Sequence, residues 1–317
     1  MISDRRKRSA ILHATARLPR PLRIALRERL LARLELGRAR RAALLILGHP
    51  KCGNTWLRTM LSRLYQVRHA LDDHLIVKSD ELAQAHPAAP RLLATNGCYS
   101  YEGIVGRVLA ADAPLSDLHQ RKAVRLVRHP SDIAVSWYLQ FVKRQSAAKR
   151  ELINHGLVHP IDHRTISMWD FVMHGDIGLR FLIDYLNTWE RNTARMPCAI
   201  TLHYEDMRAR PAEALQRVVD LLDPSFTREE VAGAVDFGSF DNLRKLEIAG
   251  FFGRGGLARR DPSDPDTFKV RRGKIGGYRD YFSPQQVAEM DALVAARLSP
   301  TLGYGSVERL SDASAAT

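Results

Sequence analysis

The segment 50–55 has the residue types of a phosphate-binding loop. It reads Pro-Lys-Cys-Gly-Asn-Thr. A glycine lets the backbone approach an anion closely, Lys51 adds a point charge, and Asn54 and Thr55 add side-chain donors. If a helix starts here, its unpaired N–H groups and partial positive charge would also face the anion. The lysine precedes the glycine, so the loop is not the G-x-x-x-x-G-K-[ST] pattern of P-loop NTPases, and an ordinary turn would also fit it.

Two further segments carry the same kind of chemistry. Arg128 ends an apolar run, Ser136 follows eight residues later, and a basic cluster occupies 271–274. Cations at the carboxyl ends of parallel strands point into the crevice where open α/β sheets bind ligands. Three cationic segments around one crevice predict a phosphorylated nucleotide with two separated phosphate groups.

The elements that must position these residues alternate between strand and helix. Short apolar runs of the kind that a parallel sheet buries are each followed by an amphipathic stretch. The predicted strands are 42–47, 123–127 and 198–203, and the predicted helices are 56–64, 133–141 and 211–222. We therefore predict an α/β fold, a single P-loop-like domain with a central parallel sheet flanked by helices.

Charge divides the chain of 317 residues into an arm and a body. Residues 1–41 hold 13 of the 48 Lys and Arg but only three of the 35 Asp and Glu, so most of the net charge of +13 belongs to the arm. This argues against nucleic acid as the partner of the whole domain. We expect a basic helical arm at 1–41, one domain at 42–305 and a disordered tail at 306–317.

The arm has three possible roles. Arginines recur every three or four residues, so it contains no apolar core of a signal peptide, and no apolar run is long enough to span a membrane. After Pro19-Arg-Pro21, leucines recur at helical spacing at positions 22, 26, 30, 31 and 34. Such a helix could pack on the domain, lie on an anionic membrane surface or contact nucleic acid.

Cysteine usage indicates a reducing compartment and no bound metal. Cys52, Cys98 and Cys198 are too few and too scattered for a disulfide framework, and they form no Cys/His cluster. We expect reduced thiols, a cytoplasmic location and no structural zinc site.

Five motifs in order give the chain a family resemblance. Residues 50–56 are similar to a PKSGTTW loop, 127–136 to RNPxDxxxS, 204–207 to YEDM, 239–240 to TSF, and 271–276 to RKGxxGDW. In this respect the chain resembles the PAPS-dependent sulfotransferases, particularly the cytosolic type that acts on small molecules. The resemblance runs from residue 50 to 278, nearly everything but the arm and tail. It implies an enzyme that moves a sulfuryl group from PAPS to a hydroxyl and releases PAP.

The resemblance assigns a role to each matched residue. Lys51 would stabilise charge on the leaving phosphate. The 5′-phosphosulfate would be wrapped by Cys52, Gly53, Asn54 and Thr55. The adenine would be flanked by Trp56, Tyr204 and Phe240, with Ser239 beside it. The 3′-phosphate would be bound by Arg128, Ser136, Arg271, Arg272 and Gly273.

The general base is where the sequence departs from the family. The cytosolic enzymes use a histidine in a KTH segment, and the matching position here is Asn96, which cannot accept a proton from the acceptor. Asn96 would then orient the acceptor. Glu102, just downstream, is the first substitute, although a solvated loop glutamate is an equal alternative. Three histidines in the basic segment 142–163 are further candidates, at positions 155, 159 and 163.

Three functions remain open from sequence alone. The chain is an active sulfotransferase, an inactive PAPS- or PAP-binding relative, or a P-loop kinase or NTPase, which would need a Gly-Lys pair followed by Ser or Thr. The acceptor is not readable, because the loops that build an acceptor pocket vary within one fold. A small-molecule, lipid-linked or glycan hydroxyl is expected.

Overall fold

The computed structural model of the chain describes residues 4–73, 79–96, 103–253, 257 and 263–304. Its sheet has four parallel strands in the spatial order β2-β1-β3-β4. The strands are β1 (Leu44–Leu47), β2 (Leu92–Thr95), β3 (Ala123–Val127) and β4 (Ala199–His203). The predicted α/β fold with a central parallel sheet is confirmed.

Fourteen α-helices are present in the described ranges. In chain order they are α1 (Asp4–Ala14), α2 (Arg20–Arg41), α3 (Asn54–Arg68), α4 (Ser79–Ala85), α5 (Gly103–Val108), α6 (Pro130–Leu139), α7 (Ala147–His155), α8 (Met168–Met173), α9 (Leu179–Thr193), α10 (Tyr204–Ala209), α11 (Pro211–Leu222), α12 (Arg228–Phe237), α13 (Phe240–Ala249) and α14 (Pro284–Arg297). A π-helical turn, Gln140–Arg144, continues α6.

Strand β1 is the centre of the core. All four of its residues are fully buried, as expected for a strand covered by helices on both faces. The chain leaves β1 for β2 on one side and later returns to place β3 on the other, so the strand order reverses between β1 and β3. The carboxyl ends of these two strands therefore bound the crevice in which open α/β sheets bind ligands.

The arm packs on the domain. Arg27 of α2 is buried; it donates to Oε2 of Glu151 on α7 at 2.9 Å and to Oγ1 of Thr15 at 2.9 Å. Glu35 of α2 is also buried, and its Oε1 accepts a bond of 2.5 Å from Oγ1 of Thr95 in β2. Of the three roles open to the arm, packing on the domain is the one that these contacts support.

The leucine stripe predicted for α2 is wrong in detail. Of the five leucines only Leu31 is buried, while Leu22 is half exposed. The buried face is made by Ile24, Arg27, Leu31, Glu35 and Ala39. Two charged residues belong to this face because the domain supplies hydrogen-bond partners for them, and burial without such partners would be costly.

Candidate active site

One large cavity opens at the carboxyl ends of β1, β3 and β4. It encloses ≈ 1180 Å³ of empty space, part of it open to solvent. The predicted site residues that line it are Lys51, Gly53, Asn54, Thr55, Trp56, Arg128, Ser136, Tyr204, Phe240, Arg271, Arg272 and Gly273. The structure therefore brings together segments that lie more than 200 residues apart in the chain.

The loop after β1 turns sharply at a glycine. Gly53 has φ +94°, and a Cβ there would lie 3.2 Å from Cδ2 of Tyr204, so a side chain would be both strained and crowded. Helix α3 starts directly after it, at Asn54. The N–H groups of the first turn of α3 consequently face the cavity without intrahelical partners, which makes an anion site.

Two residues of this loop act differently from what the sequence predicts. Cys52 is fully buried, and its backbone N–H donates to the carbonyl of His49 at 3.0 Å, so it is not offered to a ligand. Burial raises the pKa of the Cys52 thiol to about 12. The side-chain nitrogen of Asn54 donates to the carbonyls of Gly48 and His49. Cys52 and the Asn54 side chain thus shape the loop from behind.

Lys51 lies where positive charge accumulates. Burial lowers its pKa well below the usual value, and the nearby cations Arg144 and Lys269, then Arg128 and Arg271, lower it further. A lysine in such surroundings gains most from an anionic ligand, because the ligand's charge offsets both effects.

Arg128 connects the three cationic segments. Its Nη1 donates to the carbonyl of Lys51 at 3.2 Å and its Nη2 to the carbonyl of Lys274 at 3.3 Å. The guanidinium also pairs with Asp132 at 3.6 Å and lies 4.2 Å from the centre of the Tyr204 ring. The loop 50–55, the segment that begins at Arg128 and the third cationic segment, 271–274, are therefore joined at one side chain.

Asp132 of α6 holds the backbone that directly follows the third segment. Its carboxylate accepts from the backbone N–H groups of Gly276, at 2.9 Å, and Tyr278, at 3.0 Å. Gly273, with φ +62°, lies against Phe240, since a Cβ there would approach Cδ2 of that ring to 3.0 Å. The backbone of 273–278 is held close to the sheet edge as a result.

The arginines of the third segment have acidic or phenolic neighbours. Arg271 contacts the carboxylate of Asp266 at 3.4 Å and the hydroxyl of Tyr281. Arg272 and Lys274 both pair with Asp280. Because Arg272 and Lys274 are about half exposed, these pairs can be exchanged for a phosphate ligand at small cost.

Aromatic residues form the remaining predicted part of the site. Trp56 and Tyr204 meet edge to face at 6.0 Å, and Nε1 of Trp56 donates to the carbonyl of Gly238 at 2.7 Å. Phe240 lines the same cavity. Ser239 does not: its hydroxyl accepts from the N–H of Asn242 and caps α13.

None of the candidates for proton transfer or acceptor orientation that lie in the described residues lines the cavity. Asn96, after β2, is buried, and its carbonyl accepts from Nε1 of Trp189 at 3.3 Å. Glu102 lies outside the described residues. His155 and His159 are exposed and His163 half-buried, and these three are not among the residues that line the described cavity.

Sequence reasoning assigned no role to Asp132, Arg144 and Lys269, and it named Lys274 only as part of a basic cluster. Asp132 and Lys274 hold the segments in place, and Arg144 and Lys269 line the cavity beside Lys51. His49, the residue before Pro50, is fully buried, and burial lowers its pKa to about 3. Asp132 is the acidic position of the motif at 127–136 and could have been found; Arg144 and Lys269 belong to no motif.

No metal centre is evident in the part of the chain that the structure describes, since no three His, Cys, Asp or Glu side chains there are grouped to hold an ion. Likewise, none of the helices in the described ranges is long and apolar enough to cross a membrane.

The fold and the cavity define an α/β protein with a cation-lined crevice at the switch point of its sheet. A family profile for the sulfotransferase domain matches residues 41–301. The chain therefore belongs to the sulfotransferase family, which confirms the predicted class, the PAPS-dependent sulfotransferases.

Curated relatives agree with this class. Cytosolic sulfotransferase 15 of Arabidopsis thaliana is 27% identical over 83% of this chain and 72% of its own length. Sulfotransferase 6B1 of Danio rerio is 23% identical over 83% of this chain and 80% of its own.

Solved structures share the fold at lower identity. Mouse sulfotransferase SULT7A1 in complex with PAP superposes with a TM-score of 0.52 at 18% identity, covering 80% of this chain and 83% of that one. Retinol dehydratase in complex with retinol and PAP gives 0.51 at 15% identity, with 81% of both chains covered. These likenesses show the sulfotransferase fold.

Proposed function

We propose that this protein transfers the sulfuryl group of PAPS to a hydroxyl of a small-molecule, lipid-linked or glycan acceptor and releases PAP. The observation that carries the proposal is the meeting of the three cationic segments at Arg128, beside the start of α3. PAP is present in both solved relatives named above, and retinol, a small-molecule alcohol, is present in one of them.

The residues of the cavity fit PAPS. Gly53 and Gly273 leave room where a Cβ would contact Tyr204 and Phe240, and the first turn of α3 offers unpaired N–H groups. The 5′-phosphosulfate would lie against Lys51, Gly53, Asn54 and Thr55, the adenine against Trp56, Tyr204 and Phe240, and the 3′-phosphate against Arg128, Ser136, Arg271, Arg272 and Gly273. PAPS supplies the activated sulfuryl group.

The chain's own contribution is positioning and electrostatic stabilisation. Sulfuryl transfer resembles phosphoryl transfer, in which a loose transition state needs alignment and charge neutralisation more than covalent chemistry. Lys51 and the N–H groups of α3 would stabilise the charge that develops on the leaving phosphate. Arg128 holds the carbonyl of Lys51 and so fixes the lysine backbone in this position.

For the general base we retain Glu102, with Asn96 as a residue that orients the acceptor. A carboxylate that faces a low-dielectric crevice has a raised pKa and can accept a proton near neutral pH.

A PAPS-binding protein without activity is the alternative that Asn96 motivates. Turnover with labelled PAPS separates the two, because an inactive relative would bind PAP and transfer nothing. Preference for 3′-phosphorylated adenosine over ATP separates both from a P-loop kinase or NTPase.

We also retain a cytoplasmic location, which the names of the plant relatives support, and a peripheral contact with anionic membranes. Arg17, Arg29 and Arg33 are exposed on the arm and could meet lipid headgroups while the other face stays packed. Flotation with phosphatidylserine vesicles tests this: Arg29→Gln/Arg33→Gln should lose binding, and equal recovery of both proteins would refute it.

A further inference from the structure

Two cations of the cavity are left over after the nucleotide is assigned. Arg144 ends the π-helical turn after α6, and Lys269 precedes the third segment; both line the cavity, and neither belongs to a nucleotide motif. We propose that Arg144 and Lys269 bind an anionic group on the acceptor, so that the substrate class is a hydroxyl compound with its own carboxylate, phosphate or sulfate. This proposal rests on the proposed sulfotransferase function.

Their position is at the reacting end of the cavity. Among the charges that lower the pKa of Lys51, Arg144 acts most strongly and Lys269 next, ahead of Arg128 and Arg271. Both side chains line the same cavity as Lys51 and lie within electrostatic reach of it. An acceptor must approach the sulfuryl group from this end.

The segment that carries Lys269 is held in place by a buried carboxylate. Glu247 on α13 is fully buried and accepts from the backbone N–H groups of Lys269, at 2.8 Å, and Val270, at 2.9 Å. The side chain of Lys269 is thereby directed from a fixed backbone, which lowers the entropy cost of binding a ligand.

The turn that carries Arg144 is tied to the same segment. Nζ of Lys143, the preceding residue, pairs with Asp264 at 2.9 Å and with Asp266 at 3.7 Å. The turn that ends at Arg144 and the segment that contains Lys269 are thus tied together beside the cavity that both residues line.

The charge of the cavity exceeds what PAPS can neutralise. In the described part of the chain, two carboxylates line it, those of Asp132 and Asp266. The cations that line it are Lys51, Arg128, Arg144, Arg208, Lys269, Arg271, Arg272 and Lys274. PAPS carries roughly four negative charges, counting about two for its phosphate monoester. Asp280 also pairs with Arg272 and Lys274, so three carboxylates and PAPS together offset about seven of the eight cations. One anionic group on the acceptor would offset the last.

Matched acceptors test this without depending on turnover. Calorimetry on the PAP-loaded full chain would compare pairs that differ in one charge: 4-hydroxyphenylacetate and its methyl ester, N-acetyltyrosine and its amide, and glucose 6-phosphate and glucose. At least one charged member should bind about 10- to 100-fold more tightly than its neutral partner, the usual range for one or two charge-assisted hydrogen bonds. Arg144→Gln and Lys269→Gln should each remove most of this preference and leave PAP affinity within about threefold.

Lys245→Gln is the control, because Lys245 is exposed on α13 and does not line the cavity. It should keep the full preference. The proposal is overturned if no charged member binds more tightly than its partner, if the two variants keep the preference, or if they lose PAP and acceptor affinity equally. Failure of the sulfotransferase function itself would appear differently, as absent PAP binding or absent transfer from PAPS to every acceptor.

Discussion

The guanidinium of Arg128 donates to the backbone carbonyl of Lys51 across 3.2 Å, although the two residues lie 77 positions apart. The same guanidinium reaches the carbonyl of Lys274. One arginine at the end of β3 therefore sets the spacing between the loop assigned to the 5′-phosphosulfate and the segment assigned to the 3′-phosphate.

Discrimination for the 3′-phosphate follows from this arrangement. PAP should stabilise the protein by about 2.7 kcal/mol at 100 times its dissociation constant. AMP, which lacks the 3′-phosphate, should raise the melting temperature far less at the same concentration. Differential scanning fluorimetry measures both shifts, with Arg271→Gln as the variant in which they should converge. Equal shifts for PAP and AMP in the unaltered protein would refute the assignment.

Binding of PAP should be coupled to proton uptake at Lys51. The pKa of Lys51 is lowered in the free protein, and a bound phosphate raises it again. Between the lowered pKa and the usual value, the free folded protein has released this proton and the complex has regained it. PAP affinity should therefore fall as pH rises through that window, whereas the stability of the ligand-free protein should rise.

Calorimetry above pH 8 in buffers of different ionisation enthalpy detects the uptake, because the 3′-phosphate, with a pKa near about 6, is then already ionised. Lys51→Met is the matched variant and should show none. An unchanged uptake in Lys51→Met would show that another group titrates.

The base assignment predicts unequal effects of two substitutions. Glu102→Gln should lower turnover by about 10²-fold or more, in the usual range for a general base, with PAP affinity unchanged. Asn96→Ala should cost less, because an amide can only orient the acceptor. Initial rates with labelled PAPS measure the effects of both substitutions on turnover. A nearly silent Glu102→Gln together with an essential histidine at 155, 159 or 163 would move the role of the base to that histidine.

The arm should contribute to stability through one ion-pair cluster. Glu151→Gln leaves the buried Arg27 without a charged partner, so we expect a loss of about 1–3 kcal/mol in the free energy of unfolding at pH 7. Arg23 holds the pKa of Glu151 below its usual value, so the difference between the two proteins should disappear as pH falls through that pKa.

Urea denaturation measures this loss. Asp117→Asn is the control, since its pair with Arg40 is exposed on both sides and should be worth about 0–1 kcal/mol. Equal losses in the two variants would argue that the arm is only loosely attached.

The bounds of a helix or strand could be predicted from the sequence where its local signals agree with its burial in the fold. The predicted strand 123–127 has the same bounds as β3, and Pro211 begins α11, which ends at Leu222 as predicted. The buried face of a helix could not be predicted where partners distant in the chain determine it. Glu35 belongs to the buried face of α2 only because Thr95 lies opposite.

The site divides in the same way. Motif residues such as Arg128 could be predicted because their residue types and positions at strand ends already indicate anion binding. The role of the Cys52 backbone N–H could not be predicted, because this group donates within the turn to the carbonyl of His49. Lys269 could not be predicted either, because its place beside the cavity depends on the buried Glu247.

Transfer of label from PAPS tests the central claim most directly. The purified full chain would be incubated with radiolabelled PAPS and a panel of phenolic, alcoholic and glycan acceptors, with labelled product separated from PAPS. We predict label in at least one acceptor, equimolar release of PAP, and a fall of about 10²–10³ in rate for Lys51→Met, by analogy with the loss of one oxyanion donor. Tight PAP binding with no transfer above the Lys51→Met background for any acceptor would contradict the claim and leave a nucleotide-binding relative without catalytic activity.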